Sequence, residues 1–573
     1  MKKIIVYLKN YRKEAILGPL FKLFEAILEL LIPLVVSNII NEGIKNDRGT
    51  GYIFKMVAIM IVLGLIGLLC SITAQYFSAK AATGVSKELR EKLFSKIQSF
   101  SYTEIDTIGA SRMINEITAD ANQVQNGVNL FLRLFLRSPF VVIGALIMAF
   151  IVSPSGGLIF MLIIPILLAI IFVILYFTRK KYQDVQSDLD VVVRRTRENL
   201  QGVRVIRAFV KEDNESKDFN NSLNKLASSQ KKVNLVSTIL NPITYVIINI
   251  GIILVVYVGA KQVESQKLLQ GDVIALYNYM GQILVELIKF ANLVITISKS
   301  LASFTRISKT LDVESSLKFT VDNEIHSTNF LEFNDVSFMY QNGGAYALEN
   351  INFSCEKGET IGIIGGTGSG KTTLINLIPH FYDCQKGNIY LEGKNINSYD
   401  LVSLRKRIGL VPQKAVLFKG TIRSNLEWKD KNALDGDMLD ALEIAQGLDI
   451  IRKKQAGLDA VVEENGQNFS GGQKQRLAIA RALIGSPDIL IFDDSASALD
   501  YLTDSKLRKA LKMLPNKPLV FIISQRTSSI MHADKIIVLD NGKIVGIGKH
   551  EELLRTSVVY KEIYDSQFKK GGK

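Results

Sequence analysis

The residues with the clearest chemistry lie in a glycine-rich stretch, GGTGSGKTT, at positions 365–373. The stretch fits the pattern G-x-x-x-x-G-K-[ST], in which backbone N–H groups surround a phosphate. Gly365, Gly368 and Gly370 let the backbone turn tightly and point those N–H groups inward. The apolar run TIGII before the stretch predicts a short buried strand, and residues 373–378 predict a helix whose N-terminus favours negative charge. This strand–loop–helix context indicates a phosphate-binding loop rather than a chance glycine-rich turn.

The side chains of this loop extend the prediction from phosphate to a metal-bound nucleotide. We expect the Lys371 ammonium to reach the β- and γ-phosphates and the Thr372 hydroxyl to bind Mg²⁺. The residues expected to surround the phosphates are Gly365, Gly366, Thr367, Gly368, Ser369, Gly370, Lys371, Thr372 and Thr373.

A second predicted anion site lies in NFSGGQKQRLAIARAL, positions 468–483. A short polar run precedes an amphipathic helix there, so backbone N–H groups and the helix dipole again point at an anion. The residues of this run are Ser470, Gly471, Gly472 and Gln473.

Three further residues have side chains suited to metal or base contacts. The apolar strand ILIFD ends in Asp493, whose carboxylate can hold Mg²⁺ through water. Gln413 follows a predicted strand at 407–411, and its amide can ligate Mg²⁺ or orient water. Tyr340 follows a predicted strand at 331–338 and either stacks on an adenine ring or packs as a surface tyrosine. The predicted Mg²⁺ ligands are therefore Thr372, Gln413 and Asp493.

The elements before this nucleotide domain have a different composition. The chain of 573 residues is too long for one core, and its 48% hydrophobic residues are concentrated in the first half. Two runs there, IMIVLGLIGLL and LIFMLIIPILLAIIFVILYF, carry no charge on any face, which excludes buried helices of a soluble protein. Six segments are long enough to cross a bilayer, which takes about 20 residues of helix: 16–40, 56–81, 128–152, 158–177, 236–260 and 273–298.

The distribution of basic residues predicts the orientation of these spans. The long connections after the second and fourth spans are rich in Lys and Arg, whereas the connection SPSGG between the third and fourth is uncharged. The long connections and both termini are therefore expected in the cytosol. The N-terminus is basic and then apolar without a small-residue cleavage site, so we predict no cleavable signal peptide.

Two global features limit the range of partners. The net charge of +14 is concentrated beside the apolar spans, which favours a lipid bilayer and argues against nucleic acid as a partner. The three cysteines (Cys70, Cys355 and Cys384) have no metal-ligand spacing and suit a reducing cytosol.

The long cytosolic connections have helical periodicity, so the spans are expected to continue into the cytosol. Each connection is predicted to turn back at a short polar stretch, 101–109 and 211–219, and to touch the nucleotide domain there. The resulting domain prediction is a transmembrane domain at 1–310, a linker at 311–329 and an ATP-binding domain at 330–573.

Several ionisable residues fall at membrane depth, where charge is costly. Three interpretations are open for such residues: they line a polar translocation path, they pair between helices, or they reach the membrane interface from near the helix ends. A substrate path is favoured only for Glu286 and Lys289. The full set is Glu25, Glu29, Arg133, Arg137, Glu286 and Lys289.

Together these motifs resemble those of ATP-binding-cassette (ABC) proteins, and the whole chain resembles a bacterial half-transporter of the ABC exporter type. The resemblance implies an all-α six-helix transmembrane domain of type IV fused to an α/β P-loop nucleotide-binding domain, with ATP and Mg²⁺ as cofactors. It identifies 365–373 as the Walker A loop, Tyr340 as the A-loop aromatic, Gln413 as the Q-loop and 469–473 as the signature. Asp493 becomes the Walker B aspartate, and residues 497–500, with Asp500, become the D-loop. The turnarounds at 101–109 and 211–219, the latter preceded by ENLQGVRVIRAFVKED, correspond to coupling helices.

Two residues depart from the family pattern at catalytic positions. The glutamate that polarises the attacking water is replaced by Asp494, one methylene shorter. A misplacement of about 1 Å can lower a rate by about 10²-fold. The switch histidine is replaced by Gln525, whose amide can bond a γ-phosphate without carrying positive charge. Both changes are expected to weaken transition-state stabilisation and to leave nucleotide binding intact.

In this family two cassettes close head to tail, so each ATP lies between one Walker site and the other signature. The resemblance therefore implies a degenerate Walker site here and a signature, with Phe469 in place of leucine, that completes the site of a partner. We expect a heterodimer with a half-transporter that supplies the missing glutamate and histidine. By analogy with the family, we expect the exported substrates to be drugs, lipids or other amphiphiles. The alternatives are a homodimeric exporter with low activity, an importer subunit, and a channel or regulator; the charge-free spans exclude a soluble ATPase.

Overall fold

The computed structural model describes residues 6–46, 48–320, 324–341, 343–495 and 499–568. The chain forms two compact units. The first comprises Met1–Lys96 and Ser111–Val313, and the second comprises Ile97–Ala110 and Glu314–Lys573. The segment between the second and third spans in sequence therefore belongs to the second unit.

The regular secondary structure in the described part of the first unit is all helical. Its α-helices are Arg12–Asn38, Thr50–Gln98, Ala110–Asn115, Ala121–Leu134, Arg137–Val152, Pro154–Ala208, Glu212–Thr238, Leu240–Glu264 and Gln270–Leu311. Short 3-10 or π-helical stretches at Lys9–Tyr11, Ile39–Lys45 and Glu116–Asp120 adjoin them. Six helical segments in the described chain are long and apolar enough to cross a membrane: Val6–Lys45, Thr50–Gln98, Ala110–Val152, Pro154–Ala208, Pro242–Glu264 and Gln270–Leu311.

Apolar side chains on these helices point both inward and outward. Tyr279, Met280 and Ile283 of the last span are fully buried in the helical core, where the Tyr279 hydroxyl donates to the Leu30 carbonyl at 2.7 Å. On the second span, in contrast, residues such as Leu69 remain 64% exposed. A helix that is apolar on its outer face suits lipid as its surroundings. The chain is accordingly a multi-pass membrane protein, as predicted.

Two predicted spans are interrupted by helix breaks. The span predicted at 128–152 is broken by a turn at residues 135–136, and the helix resumes at Arg137. The span predicted at 236–260 is broken at Ile239, and the candidate span itself begins at Pro242. Proline has no backbone N–H, so Pro139 and Pro242 cannot donate to the carbonyl four residues earlier in the helix. The two missing hydrogen bonds explain the two breaks.

The predicted second turnaround at 211–219 is also wrong in extent. The helix before it ends at Ala208 and the next begins at Glu212, so only residues 209–211 turn. Glu212, Asp213 and Glu215 occupy the first helical turn, where negative side chains complement the helix dipole. Their polarity therefore marks a helix start rather than a loop.

The second unit is an α/β domain with strands numbered β1–β12 in chain order. A four-stranded antiparallel sheet has the order β2-β1-β4-β5, from Leu331–Phe338 (β1), Leu348–Cys355 (β2), Lys386–Leu391 (β4) and Lys394–Asn395 (β5). A six-stranded sheet has the order β12-β11-β3-β10-β9-β6. Its strands are Thr360–Gly365 (β3), Ile408–Val411 (β6), Ile489–Asp493 (β9), Leu519–Ile523 (β10), Lys535–Asp540 (β11) and Lys543–Gly548 (β12). Gly420–Thr421 (β7) and Val461–Val462 (β8) form a short pair.

Helices of this unit, among them Lys371–Leu377, Gly471–Leu483 and Val558–Phe568, pack against the six-stranded sheet. The α-helices of this unit are Tyr102–Ile108, Lys371–Leu377, Leu401–Lys406, Ile422–Leu426, Asp435–Ile444, Leu448–Arg452, Gly471–Leu483, Tyr501–Lys512, Thr527–Ile530, His550–Thr556 and Val558–Phe568.

The register of the six-stranded sheet brings the ends of its central strands together. β3, β10 and β9 run parallel, and Ile523 pairs with both Ile363 and Asp493. Because carboxyl ends of parallel strands share one edge, the loops after β3, β9 and β10 converge there. The predicted phosphate loop and Gln525 follow β3 and β10, and Asp493 is the last residue of β9.

Candidate nucleotide-binding site

The phosphate loop depends on glycine at two points of close approach. A Cβ on Gly365 would lie 2.1 Å from the Leu539 carbonyl oxygen of the neighbouring strand. Gly370, at φ 98°, is the N-cap of the helix that begins at Lys371. A Cβ there would lie 2.7 Å from the Ala347 carbonyl oxygen. Only glycine accommodates this path, which directs the N–H groups at the start of the helix into the loop.

Lys371 lies at the centre of this loop. Its ammonium donates to the Gly366 carbonyl at 2.6 Å, to the Gly365 carbonyl at 3.0 Å and to the Ser369 hydroxyl at 3.3 Å. Burial lowers the pKa of this ammonium, and the negative charges of Asp494 and Asp493 oppose that shift. A buried cation beside backbone N–H groups is suited to polyphosphate.

The predicted metal ligands form a compact set of oxygens. The Thr372 hydroxyl lies 3.2 Å from each carboxylate oxygen of Asp493. Burial raises the pKa of the Asp493 carboxyl; the Thr372 hydrogen bond opposes this shift, and the Asp494 charge adds to it. Hydroxyl and carboxylate oxygens are the ligands Mg²⁺ prefers. These residues, with the Gln413 amide oxygen, therefore fit Mg²⁺ bound to a nucleotide.

The two departures from the family pattern both border the same cleft. Asp494 follows β9 at φ 46°, and the Gln413 amide donates to its carboxylate at 3.4 Å. Gln525 follows β10 and is exposed at the cleft. A carboxylate and an amide thus face the position of the nucleotide from the ends of adjacent strands.

Tyr340 lines the cleft beside the helix that follows the phosphate loop. Its hydroxyl is hydrogen-bonded to the Thr373 hydroxyl at 2.9 Å. Its ring packs edge-on against Phe338 at 4.9 Å and Tyr382 at 5.5 Å between centroids. The ring is half-buried and lines the cleft, which is compatible with stacking on a base.

One cleft of about 370 Å³ brings most of the predicted residues together. Gly365, Gly366 and Ser369 form the loop behind it and do not line it. The predicted residues that do line it are Tyr340, Thr367, Gly368, Gly370, Lys371, Thr372, Thr373, Gln413, Asp493, Asp494 and Gln525.

The signature residues do not line this cleft. Ser470 caps the helix Gly471–Leu483 in a reciprocal arrangement: its N–H donates to the Gln473 amide oxygen at 2.9 Å, and its hydroxyl accepts from the Gln473 N–H. Phe469 is buried and anchors the start of this helix. Ser470 and Gly471 are exposed, so the start of this helix, the predicted anion site, is accessible to another molecule.

The predicted D-loop is described only at its end. Ser497 and Ala498 lie outside the described residues. Asp500 caps the helix Tyr501–Lys512 by accepting from the Thr503 N–H at 2.8 Å and hydroxyl at 2.9 Å. The hydrogen bond from the Thr503 backbone is the main cause of the lowered pKa of Asp500.

Sequence reasoning missed a set of aromatic contacts made by the first turnaround. Within the second unit, the Tyr102 ring stacks on Phe381 at 4.3 Å, and the Tyr382 hydroxyl donates to the Asp106 carboxylate at 2.7 Å. Tyr382 also packs against Tyr340 of the cleft. No motif spacing marks these residues, because they meet only after the chain folds.

The charged residues at membrane depth are largely paired with one another. Glu286, 3% exposed, accepts from Arg137, from the Ser138 hydroxyl at 2.8 Å and from the Lys289 ammonium at 2.9 Å. Arg137 also donates to Glu29. Lys289 remains 43% exposed. Glu286 thus joins helices through buried ion pairs, and Lys289 is the more accessible member. Among the others, Glu25 pairs with Lys22.

Comparisons with known proteins agree with this arrangement. A family profile described as "ABC transporter transmembrane region" matches residues 15–287, and one described as "ABC transporter" matches residues 348–497. The chain is 35% identical to the "Uncharacterized ABC transporter ATP-binding protein YfiB" of Bacillus subtilis (strain 168), over 100% of this chain and 99% of that relative. It is 28% identical to the "ATP-dependent lipid A-core flippase" of Blochmanniella pennsylvanica (strain BPEN), over 97% and 96% of the two chains.

A solved structure shares the whole fold. It is described as "Structure of a bacterial Atm1-family ABC exporter with ATP bound", and it superposes with a TM-score of 0.81 over 99% of both chains at 22% identity. Both units thus have the fold of an ABC exporter. With one transmembrane domain and one ATP-binding domain, this chain is a half-transporter of the ABC transporter family.

Proposed function

We propose that this chain is one half of a heterodimeric exporter that moves amphiphilic substrates out of the cytosol by alternating access. Its own Walker site binds MgATP and hydrolyses it slowly. Its signature completes the catalytic site of a partner half-transporter. ABC exporters work as dimers in a membrane, so the question specific to this chain is whether its two ATP sites are equivalent.

The observation that carries this proposal is the pair Asp494 and Gln525 at the rim of the cleft. The other predicted residues that line the cleft have side chains of the types that phosphate and metal binding need, whereas these two residues differ from the glutamate and histidine of the family pattern. The Asp494 carboxylate is also within 3.4 Å of the Gln413 amide. A short carboxylate held on the wall of the cleft is poorly placed to polarise a water at the γ-phosphate.

Two exposed features support a partner chain. Ser470 and Gly471 present the signature to the outside of the second unit. At the cytosolic turn of the first unit, Phe209 and Val210 are 71% and 81% exposed. Apolar side chains at the tip of a cytosolic hairpin favour contact with another protein surface.

The substrate proposal rests on the relatives and on the membrane half. Relatives of similar length include lipid A-core flippases, which favours lipid-like or other amphiphilic substrates. We further propose that Glu286 and Lys289 border the substrate path. The exposed Lys289 ammonium is the member able to meet an anionic group.

ATP hydrolysis in lipid nanodiscs tests the asymmetry. We expect a low rate for this chain alone, and a high rate after co-expression with a half-transporter that has the family glutamate and histidine. A rate typical of transporters for this chain alone would contradict the slow site. A homodimeric exporter would then be the better description.

Restoring the two catalytic residues provides the matched test. We expect Asp494→Glu combined with Gln525→His to raise the turnover of the chain alone by about 10²-fold. Asp494→Asn is the control, because it keeps the size of the side chain and removes its charge. Equal rates for the restored and wild-type chains would show that these positions do not limit hydrolysis.

Transport by reconstituted vesicles separates export from the importer and regulator alternatives. A fluorescent phospholipid analogue should move from the cassette side to the opposite side only when ATP is added to the cassette side. Movement in the reverse direction would indicate an importer, and ATP hydrolysis without movement would indicate a regulator or an unrelated substrate class.

A further inference from the structure

The C-terminal helix of the second unit reaches the backbone around Gln525. Near its end, the Gln567 side-chain amide accepts from the Thr527 N–H at 2.8 Å and donates to the Gln525 carbonyl at 2.7 Å. The two backbone groups lie on either side of Arg526. A single side chain therefore bridges both flanks of the turn that carries Gln525.

The chemistry of the two partners fixes the orientation of this amide. A backbone N–H can only donate and a backbone carbonyl can only accept, so the Gln567 oxygen must face Thr527 and its nitrogen must face Gln525. Only a side chain that has a donor and an acceptor can make both bonds. Glutamate at this position would keep the bond from Thr527 and lose the bond to Gln525.

Two further hydrogen bonds hold the start of this turn. The Ser524 N–H donates to the Ile363 carbonyl at 3.1 Å, and the Arg526 N–H donates back to the Ser524 hydroxyl at 3.0 Å. These bonds tie the start of the turn to β3, next to the phosphate loop. The bonds from Gln567 fix the carbonyl of Gln525 itself and the start of the helix Thr527–Ile530.

The helix that carries Gln567 is itself held by the core of the domain. Tyr560 is fully buried, and its hydroxyl is hydrogen-bonded to the His550 Nδ1 at 2.7 Å. Ile563, one turn before Gln567, packs against the same hydrophobic core. The position of Gln567 is therefore set by packed elements.

We propose that Gln567 is a positioning residue for Gln525, through which the C-terminal helix sets how well the Gln525 side chain reaches the γ-phosphate of ATP. This inference rests on the proposed function in one respect, namely that Gln525 faces the γ-phosphate. A hydrogen bond to a phosphate oxygen needs placement to within about 0.5 Å, and an unrestrained turn would not provide it.

The test compares a triphosphate with a diphosphate. The full-length chain in nanodiscs binds TNP-ATP, and its displacement by AMP-PNP or by ADP with Mg²⁺ gives the affinity ratio of the two ligands. ADP has no γ-phosphate, so the ratio isolates contacts to that group. We expect Gln567→Ala to lower the preference for AMP-PNP by about 3- to 10-fold, the range of one partly exposed hydrogen bond, with ADP affinity unchanged.

A double-mutant cycle shows whether Gln567 acts through Gln525. Gln525→Ala should lower the ratio to the same extent, and adding Gln567→Ala to it should have no further effect. Gln567→Glu should give an intermediate loss. Ser566→Ala is the matched control on the same helix, because its hydroxyl donates to the Ile563 carbonyl within that helix.

An unchanged ratio in Gln567→Ala, an unchanged ratio in Gln525→Ala, or additive losses in the double variant would each overturn the inference. Equal losses of AMP-PNP and ADP affinity in Gln567→Ala would overturn it too, because they indicate general disturbance of the site. Rapid ATP hydrolysis by the wild-type chain would contradict the proposed slow site and would leave this ratio, and its test, intact.

Discussion

At the scale of single residues, we expect Asp493 to lower the stability of the nucleotide-free domain and to bind the metal. Its carboxyl is 7% exposed and lies beside Asp494, and burial with that neighbouring charge raises its pKa. At neutral pH the ionised carboxylate is therefore unfavourable for the folded domain without metal. We expect Asp493→Asn to raise the melting temperature of the nucleotide-free protein, because the amide keeps the acceptor for Thr372 without the charge.

The same substitution should weaken MgATP binding by about 10- to 100-fold, since it removes a charged ligand to the metal. Titration of the chain with MgATP, and with ATP in excess EDTA, measures the metal-dependent part. Asp400→Asn is the control, because Asp400 caps the helix Leu401–Lys406 and does not line the cleft. An unchanged affinity for MgATP in Asp493→Asn would contradict the assignment of Asp493 to the metal.

The pH dependence follows from the direction of the shift. A carboxyl whose pKa is higher in the folded than in the unfolded state binds its proton more tightly when folded. The ionised carboxylate therefore destabilises the nucleotide-free domain at pH values above its folded-state pKa. This destabilisation decreases as the pH falls through the folded-state pKa and is gone below the unfolded-state pKa. We expect the difference in melting temperature between Asp493→Asn and wild type to be largest at neutral pH and to shrink on acidification.

At the scale of elements, the segment 97–110 is held within the second unit by contacts that can be tested one at a time. The Tyr382 hydroxyl donates to Asp106, and burial is the main cause of the raised pKa of that phenol. The neighbouring Ser101 and Glu104 form a buried capping box. A hydrogen bond to a charged group contributes about 1.5–3 kcal/mol.

We therefore expect Tyr382→Phe to loosen this segment by about 10-fold in amide hydrogen exchange at residues 101–109, with nucleotide affinity largely kept. Tyr346→Phe is a matched control, because Tyr346 is 40% exposed. If exchange in Tyr382→Phe equals that of wild type, the hydrogen bond to Asp106 does not hold the segment.

The buried ion pairs of the first unit make a second prediction about elements. Arg137, Glu286 and Glu29 come from three different helices. Removing one charge of a buried pair leaves the other without its partner and typically costs about 3–5 kcal/mol. We expect Glu286→Gln to lower the melting temperature in detergent clearly, whereas Glu264→Gln, an exposed site, should leave it unchanged.

The comparison of sequence with structure is also clearest for elements. Strands β1 and β9 begin and end where their apolar patterns predicted, because each is bounded by polar or turn residues. The apolar run at 128–152 predicted one unbroken span, although Pro139 interrupts its helix. The polar run at 211–219 predicted a turn, although its acidic residues form the first turn of the helix that begins at Glu212.

For the site, local motifs predicted the phosphate loop and the carboxylates because their chemistry depends on neighbours in sequence. The contacts of Tyr382 and Gln567 could not be predicted in this way. Asp106 and Tyr382 are 276 residues apart, and Gln567 reaches the turn after β10 from a separate helix. Only the packing of the whole domain brings such pairs together.

At the scale of the whole molecule, the signature and the Walker site of this chain serve different ATP sites in the proposed heterodimer. A substitution in one motif therefore tests one ATP site without changing the other. A Cβ on Gly471 would meet no atom within 4 Å, so a side chain fits there without disturbing the fold. A carboxylate at this helix start would suit the helix dipole of this chain. It would repel the phosphates of a nucleotide bound to the partner.

We therefore expect Gly471→Asp to lower the ATPase rate of the heterodimer by about 10²-fold, the loss typical of removing one electrostatic contact to a transition state. Lys371→Ala disables only the slow site of this chain, which contributes little to turnover. It should therefore lower the ATPase rate of the heterodimer by less than about 10-fold. Gly436→Asp is the matched control, since Gly436 also lies in the first turn of a helix with open space around it. Equal losses in Gly471→Asp and Lys371→Ala would mean that the two ATP sites turn over alike, and the asymmetric heterodimer would then be rejected in favour of two equivalent sites.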